Sequence, residues 1–347
     1  MALYIARGES QKALDVAKAL NGAVPDSVEA LGALGRAYTA IGNEKLAQAT
    51  LAQMARLAAY DPGMLTETAL LQLQANDPRG AAFSLEKALS VSPDYAAAQV
   101  LAAEVDLASG DTAKAEQRAK QIVARAPNDP SGYRLLGDAA MARKSFPEAA
   151  ANYRTSLSKA PSSDGAIRLY RAMILSGNTK QATDSLEAWL RARPGDTIAM
   201  RALAEGYLRA GNLGGARATY EQILKTEGDD PAILNNLANI LAREKDPRGL
   251  EYAERAFKLA PTAPAVQDTL GWLLVEQGQL DKGLRHLRDA RLRDPSNPEI
   301  RYHLAVALAK SGRNDEARRE LEPVLASDIQ FDGKGDAQAL ARVLGAR

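Results

Sequence analysis

Few residues in this sequence could do covalent or metal chemistry. It has no cysteine and only two histidines, His286 and His303, among 347 residues. Thiolate zinc sites and disulfides are therefore excluded. The two histidines fall in different segments with no ligand spacing between them, so no metal is expected and both read as packing or surface residues. There is no P-loop, no Gly-x-Gly-x-x-Gly turn, and no hydroxyl with an evident base and orienting acid. No catalytic residue and no cofactor are expected. What the sequence offers instead is binding chemistry. One group joins amides, a carboxylate, a hydroxyl and rings: Asn235, Asn236, Asn239, Asp268, Thr269, Trp272, Tyr302 and His303. A second group is cationic: Arg134, Arg168, Arg171, Arg201, Arg209 and Arg243, interrupted by Asp138 and Glu205. Guanidinium forks suit carboxylates or phosphates.

The elements that must carry these residues follow from a repeat. Rows beginning at Val28, Pro62, Ala96, Pro130, Ser163, Thr197, Pro231, Pro264 and Pro298 are 33 or 34 residues long. Their eighth column reads Gly35, Ala69, Ala103, Gly137, Tyr170, Ala204, Ala238, Gly271, Ala305, so all but Tyr170 are small. The twentieth column is alanine in most rows, from Ala47 to Ala317. Apolar residues three and four apart mark a helical stripe in each half row. Glycines between the halves (Gly42, Gly110, Gly177, Gly211, Gly278, Gly312) can take the left-handed conformation that ends a helix. Prolines near the row ends stop the second helix. Each row therefore predicts a helix, a tight turn, a second helix and a short loop. The small columns let the two helices approach closely. Gly271 fits this reading: the glycine weakens its helix by about 1 kcal/mol, and close packing outweighs that.

Composition agrees with thin helices rather than one thick core, with aromatics at only 5%. Lys+Arg number 44 and Asp+Glu 43, a net charge of +1. Such a balance has no global pull on nucleic acid or on an acidic membrane, and basic residues do not interleave with aromatics. No segment is long and apolar enough to span a membrane, and the start MALYIARGESQKALDVAKAL, charged from residue 7, does not read as a signal peptide.

The row length, small columns and punctuation resemble the tetratricopeptide repeat (TPR) family over nearly the whole chain. The resemblance implies an all-α fold, a TPR α-solenoid: a right-handed superhelix of about nine full repeats (28–61, 62–95, 96–129, 130–162, 163–196, 197–230, 231–263, 264–297 and 298–331). Residues 1–27 fit as a partial repeat that begins inside its first helix, and 332–347 as a C-terminal capping helix at about Asp336–Leu344. In such an array the first helix of each repeat lines a concave groove through columns 2, 5, 9, 12 and 13, with column 6 nearby. That places Trp272 in the groove as an aromatic platform or, alternatively, as filling against the next first helix. The polar and ring group around it could grip an extended peptide or a glycan. The six arginines, from four adjacent rows, could hold an acidic peptide or an anionic polysaccharide.

A narrower resemblance lies in LNNLANILAREKDPRGLEYAERAFKLAPTAPAVQDTLGWLLVE and the following NPEIRYHLAVALAKSG. These rows are similar to the TPR lipoprotein of the exosortase/PEP-CTERM system (PrsT type) and to related exopolysaccharide-export scaffolds. That resemblance implies a non-enzymatic envelope scaffold with a protein or polysaccharide partner, and a chain that is a fragment of a longer periplasmic protein. A cytoplasmic peptide-binding adaptor is the alternative reading. The recognition part of a larger enzyme is the third.

Overall fold

The computed structural model describes residues 1–345. Every regular element among them is an α-helix. The chain divides into two compact units, Met1–Trp189 and Leu190–Arg347. The last two residues of the segment read as a capping helix, 346 and 347, lie outside the described residues.

The first unit opens with α1 (Ala2–Ala6) and α2 (Ser10–Ala23). Helix pairs follow: α3 (Val28–Ala40) with α4 (Glu44–Leu57), α5 (Pro62–Gln74) with α6 (Pro78–Val91), α7 (Ala96–Ala108) with α8 (Thr112–Arg125), and α9 (Pro130–Ala142) with α10 (Phe146–Lys159). Then come α11 (Ser163–Leu175) and α12 (Thr179–Ala192), the latter crossing the boundary between units. The second unit holds α13 (Thr197–Arg209) with α14 (Leu213–Glu227), α15 (Pro231–Arg243) with α16 (Arg248–Leu259), α17 (Pro264–Glu276) with α18 (Leu280–Arg293), and α19 (Pro298–Lys310) with α20 (Asn314–Ala326). It ends in α21 (Lys334–Leu344), which starts two residues earlier than the sequence suggested, with Gly333 at its N-cap position. No helix among the described residues is long and apolar enough to cross a membrane.

Local chemistry fixes the helix ends. An Asp or Asn before the first-turn proline caps many starts. Asp61, Asp129, Asp230 and Asn297 each accept from backbone N–H groups of the turn that follows. Capping of this kind contributes about 1 kcal/mol per helix, and the proline lacks an N–H that would be unsatisfied there. Between the helices of a pair, the six turn glycines all have positive φ, from 72° to 84°. Three rows have no glycine at this turn, and Asn76, Lys144 and Lys245 take the same left-handed conformation at φ 56°, 60° and 57°. The turn is imposed by the geometry of the pair, and a non-glycine residue there bears some strain.

The core is a series of small clusters, each built where one pair meets the next. Leu65, Ala69, Ala81, Leu85 and Ala98 join α5, α6 and α7. Val275, Leu284, Leu287, Leu304, Leu321, Ala337 and Ala341 join α17 through α21. Within a pair, the small columns set the separation. A Cβ on Gly35 would lie 2.5 Å from a Leu51 methyl, and one on Gly137 would lie 2.4 Å from the Tyr153 ring. Between α17 and α18 the neighbour is backbone as well as side chain. There a Cβ on Gly271 would lie 2.8 Å from Leu287 Cγ and 3.0 Å from the Gly283 carbonyl oxygen. A Cβ on Gly283 would in turn lie 2.7 Å from the Gly271 carbonyl oxygen. Two backbones thus touch, and neither can yield as a flexible side chain would. Tyr170 is the one bulky residue in this column and is itself buried at 3% exposure.

Gly271→Ala is therefore expected to destabilise the second unit by about 1–3 kcal/mol through overpacking, although alanine raises helix propensity by about 1 kcal/mol. Gly214→Ala, in a helix with nothing within 4 Å of the added Cβ, is expected to be neutral or stabilising. Urea unfolding of the two variants checks the contrast, and equal behaviour would contradict the packing described.

Candidate binding site

The polar and ring group gathers on the first helices of the second unit. Asp268 and Trp272 lie one turn apart on α17 and both reach His303 of α19. The His303 imidazole stacks on the Trp272 indole, ring centres 4.3 Å apart and planes 23° off parallel. Its Nδ1 donates to the Asp268 carboxylate at 2.9 Å. Tyr302 sits beside both rings, 6.3 Å from Trp272 and 5.6 Å from His303. The four residues form one packed assembly in which Asp268 and Tyr302 are buried, at 8% and 9% exposure. Trp272 is only partly buried. It both fills space against the next first helix and shows part of its ring.

His303 packs, as one reading of the sequence had it, but against Trp272 and with its Nδ1 held by the Asp268 carboxylate. Burial works against the imidazolium, but the Asp268 charge and hydrogen bond, with Glu299 and Glu276 behind them, outweigh it and raise the pKa above the usual histidine value. His286 is the opposite case. It packs edge-on against Phe257 at 4.9 Å, and burial lowers its pKa.

The asparagines of α15 are less tightly engaged. Asn236 Nδ2 donates to the Tyr220 hydroxyl at 3.1 Å. Asn235 is buried and its Oδ1 has no partner. Asn239 is exposed. Thr269 is buried beside Asp268 on α17.

The arginines divide between the units. In the first, Arg134 of α9 pairs with Glu104 at 2.5 Å and with Asp138 at 3.2 Å. Arg168 of α11 pairs with Asp138 and Asp164, each at 2.6 Å. The Tyr153 hydroxyl also donates to Asp138, at 2.7 Å. That reach is possible because Gly137 leaves room for the ring. Burial first, and then the Asp138 charge, raises the Tyr153 pKa. In the second unit Arg201 pairs with Glu227 and Asp230. Arg243 pairs with Asp332 of the segment before α21. Arg171 and Arg209 are exposed and make no ion pair among the described residues. Four of the six guanidinium groups are thus already matched by carboxylates. No cluster of three or more potential metal ligands occurs among the described residues.

Sequence reasoning missed two kinds of contact. Glu104, Glu227 and Asp230, and Asp138 for Arg168, lie about one row away in the sequence, so only the row register could have paired them. Phe331 and Asp332, at the junction of the last repeat and the capping segment, gave no sign that they reach Tyr302 and Arg243.

Comparison with known proteins bears on the repeat. The family profile described as Tetratricopeptide repeat matches residues 72–139, 174–240 and 274–332, and a second profile of the same description matches 134–197. Cellulose synthase operon protein C of Xanthomonas axonopodis pv. citri (strain 306) is 26% identical over 276 residues, covering 63% of this chain and 18% of that protein. TPR repeat-containing protein PA4667 of Pseudomonas aeruginosa is 31% identical over 147 residues, covering 41% of this chain and 25% of that protein. The chain thus matches a quarter or less of the length of these curated relatives. In fold, it is similar to the Cut9 and Hcn1 hetero-tetramer structure, with a TM-score of 0.50, 14% identity, and coverage of 90% of this chain and 75% of that one.

Two outcomes follow from the site geometry. In an NMR titration, the His303 ring protons should show a midpoint above the ordinary value of about 6.5, and Asp268→Asn should lower it. Because the folded pKa is raised, the pair's stabilisation is fully present below about pH 6.5 and fades as pH rises through the folded pKa. A midpoint at or below 6.5 would contradict the pairing. Tyr153→Phe removes one donor to Asp138 and should destabilise the first unit by about 1 kcal/mol, read by urea unfolding.

Proposed function

The chain belongs to the tetratricopeptide repeat family, and from that premise we propose that it is a non-enzymatic scaffold whose first helices in the second unit hold an extended segment or helix of a protein partner. The observation that carries this reading is the ring assembly of Trp272, Tyr302 and His303. It offers a partly exposed aromatic surface whose geometry is locked by the Asp268 hydrogen bond. Locked rings bind with little loss of rotamer freedom, which is why tryptophan and tyrosine are frequent anchors of protein interfaces. A protein segment suits the site better than an anionic polysaccharide. Most of the arginines that would meet such a polymer are already neutralised by Glu104, Asp138, Asp164, Glu227, Asp230 and Asp332.

The setting we propose is bacterial exopolysaccharide export or the sorting of PEP-CTERM proteins, in the cell envelope. It is supported by the resemblance of residues 234–326 to export scaffolds and by the 26% identity to Cellulose synthase operon protein C.

A photo-cross-linking residue at Asn239, which is exposed on α15, tests this in the native cell. The expected product joins the chain to an envelope component of the export machinery. Trp272→Ala should weaken that capture by about 2 kcal/mol, or roughly thirtyfold. Cross-links indifferent to Trp272 would contradict the site. Cross-links confined to cytoplasmic proteins would favour a cytoplasmic adaptor.

A further inference from the structure

Between α20 and α21, residues 327–333 run as a segment without helix or strand. They do not simply bridge the two helices. Phe331 places its ring 6.0 Å from that of Tyr302, extending the row of rings formed by Tyr302, Trp272 and His303. Asp332 pairs with Arg243 at the end of α15, a residue 89 positions earlier in the sequence. Gly333 lies so close to Tyr302 that a Cβ there would be 2.7 Å from its ring. The segment thus touches α19 and reaches back to α15.

Its grip is slight. The Lys334 side chain donates to the Ser327 and Ile329 carbonyl oxygens at 3.0 and 3.3 Å, so the loop is closed largely upon itself. The recorded backbone hydrogen bonds of this stretch run to Val324, Phe331 and Gly333, and none to α15, α17 or α19. The Arg243 and Asp332 side chains are 57% and 76% exposed, and an ion pair so open to water adds little. What holds the segment on the first helices is one partly buried ring and one solvated charge.

We infer that residues 328–333, Asp-Ile-Gln-Phe-Asp-Gly, are a resident ligand of the first-helix face, standing in for an extended partner segment with an aromatic side chain followed directly by a carboxylate. This deepens the proposed function and rests on it, since it names the peptide chemistry that the ring assembly and Arg243 select together. The aromatic residue extends the row of rings and the carboxylate takes Arg243. A tethered competitor is present at high effective concentration. It lowers the apparent affinity of the free peptide by the fraction of time it occupies the face.

A fluorescein-labelled peptide of residues 327–334, SDIQFDGK, added to the full chain and followed by anisotropy, tests this. The Phe331→Ala/Asp332→Ala variant, whose segment has lost both grips, should bind the peptide at least about fivefold tighter than the unaltered chain. Asp332→Lys, at an exposed position that does not threaten the fold, should shift binding the same way. In the released background, Arg243→Glu should reverse the preference between SDIQFDGK and SDIQFKGK, and Trp272→Ala should weaken both. Peptide binding no tighter in the released variants, or a preference indifferent to Arg243→Glu, would overturn the inference. If the peptide fails while cellular cross-linking still depends on Trp272, the inference alone falls. If cross-linking ignores Trp272, the reading of the site falls with it.

Discussion

The structure depends on how closely the two helices of a pair can cross. At α17 and α18 the limit is reached, where Gly271 and Gly283 bring backbone against backbone and a methyl group on either would collide with a carbonyl oxygen. Protein interiors are packed densely enough that such a collision cannot be absorbed by slack. The helix accepts the propensity penalty of a glycine, because dispersion and burial over the whole interface exceed it. Elsewhere, Tyr170 apart, the same column holds alanine, or a glycine facing a larger partner. Gly137 makes room for the Tyr153 ring, which then reaches Asp138. The separation of helices and the placement of a polar network are set by the same missing side chain.

Regular pairs have a consequence for the first helices. When successive pairs stack at a fixed spacing, residues about one row apart become neighbours. Asp268 meets His303 at a sequence separation of 35, and Arg168 meets Asp138 at 30. Long-range electrostatics therefore runs between corresponding helices of adjacent rows. In a solenoid this interface is the main carrier of cohesion from one repeat to the next. Tying Asp268 and His303 together also fixes the indole stacked on them. A surface used for recognition gains from that rigidity, because less freedom is lost on binding.

The repeat was legible because helix punctuation is local chemistry. Small residues at column eight, glycines in the turn and prolines at the row ends each act within a few residues, so their spacing can be read directly. The capping residues before Pro62, Pro130, Pro231 and Pro298 are local signals of the same kind that the sequence reading left unused. Asn76, Lys144 and Lys245 were not legible, since nothing local marks them for a left-handed turn that the stacked pair imposes. The candidate site was half legible. Column positions brought Asp268, Trp272, Tyr302 and His303 together, yet the hydrogen bond from His303 to Asp268 depends on side-chain reach across two helices. Asp138 and Asp164, four residues from Arg134 and Arg168 on the same helices, could be read from spacing alone, whereas Glu104, Glu227, Asp230 and Asp332 pair with their arginines only through the fold. Phe331 ends the last repeat and Asp332 follows it, at positions with no counterpart in the repeat columns, and only the three-dimensional path of their segment brings them to the first helices.

The claim that backbone closeness governs the rest is tested most directly by a double-mutant cycle between Gly271 and Leu287. Leu287→Ala alone removes a fully buried side chain and should destabilise by about 2–5 kcal/mol. It also clears the atom nearest to a Cβ at residue 271. The account predicts that the double variant Gly271→Ala/Leu287→Ala loses less stability than the sum of the single losses, by about 1 kcal/mol or more. Strict additivity of the two losses in urea unfolding would contradict it.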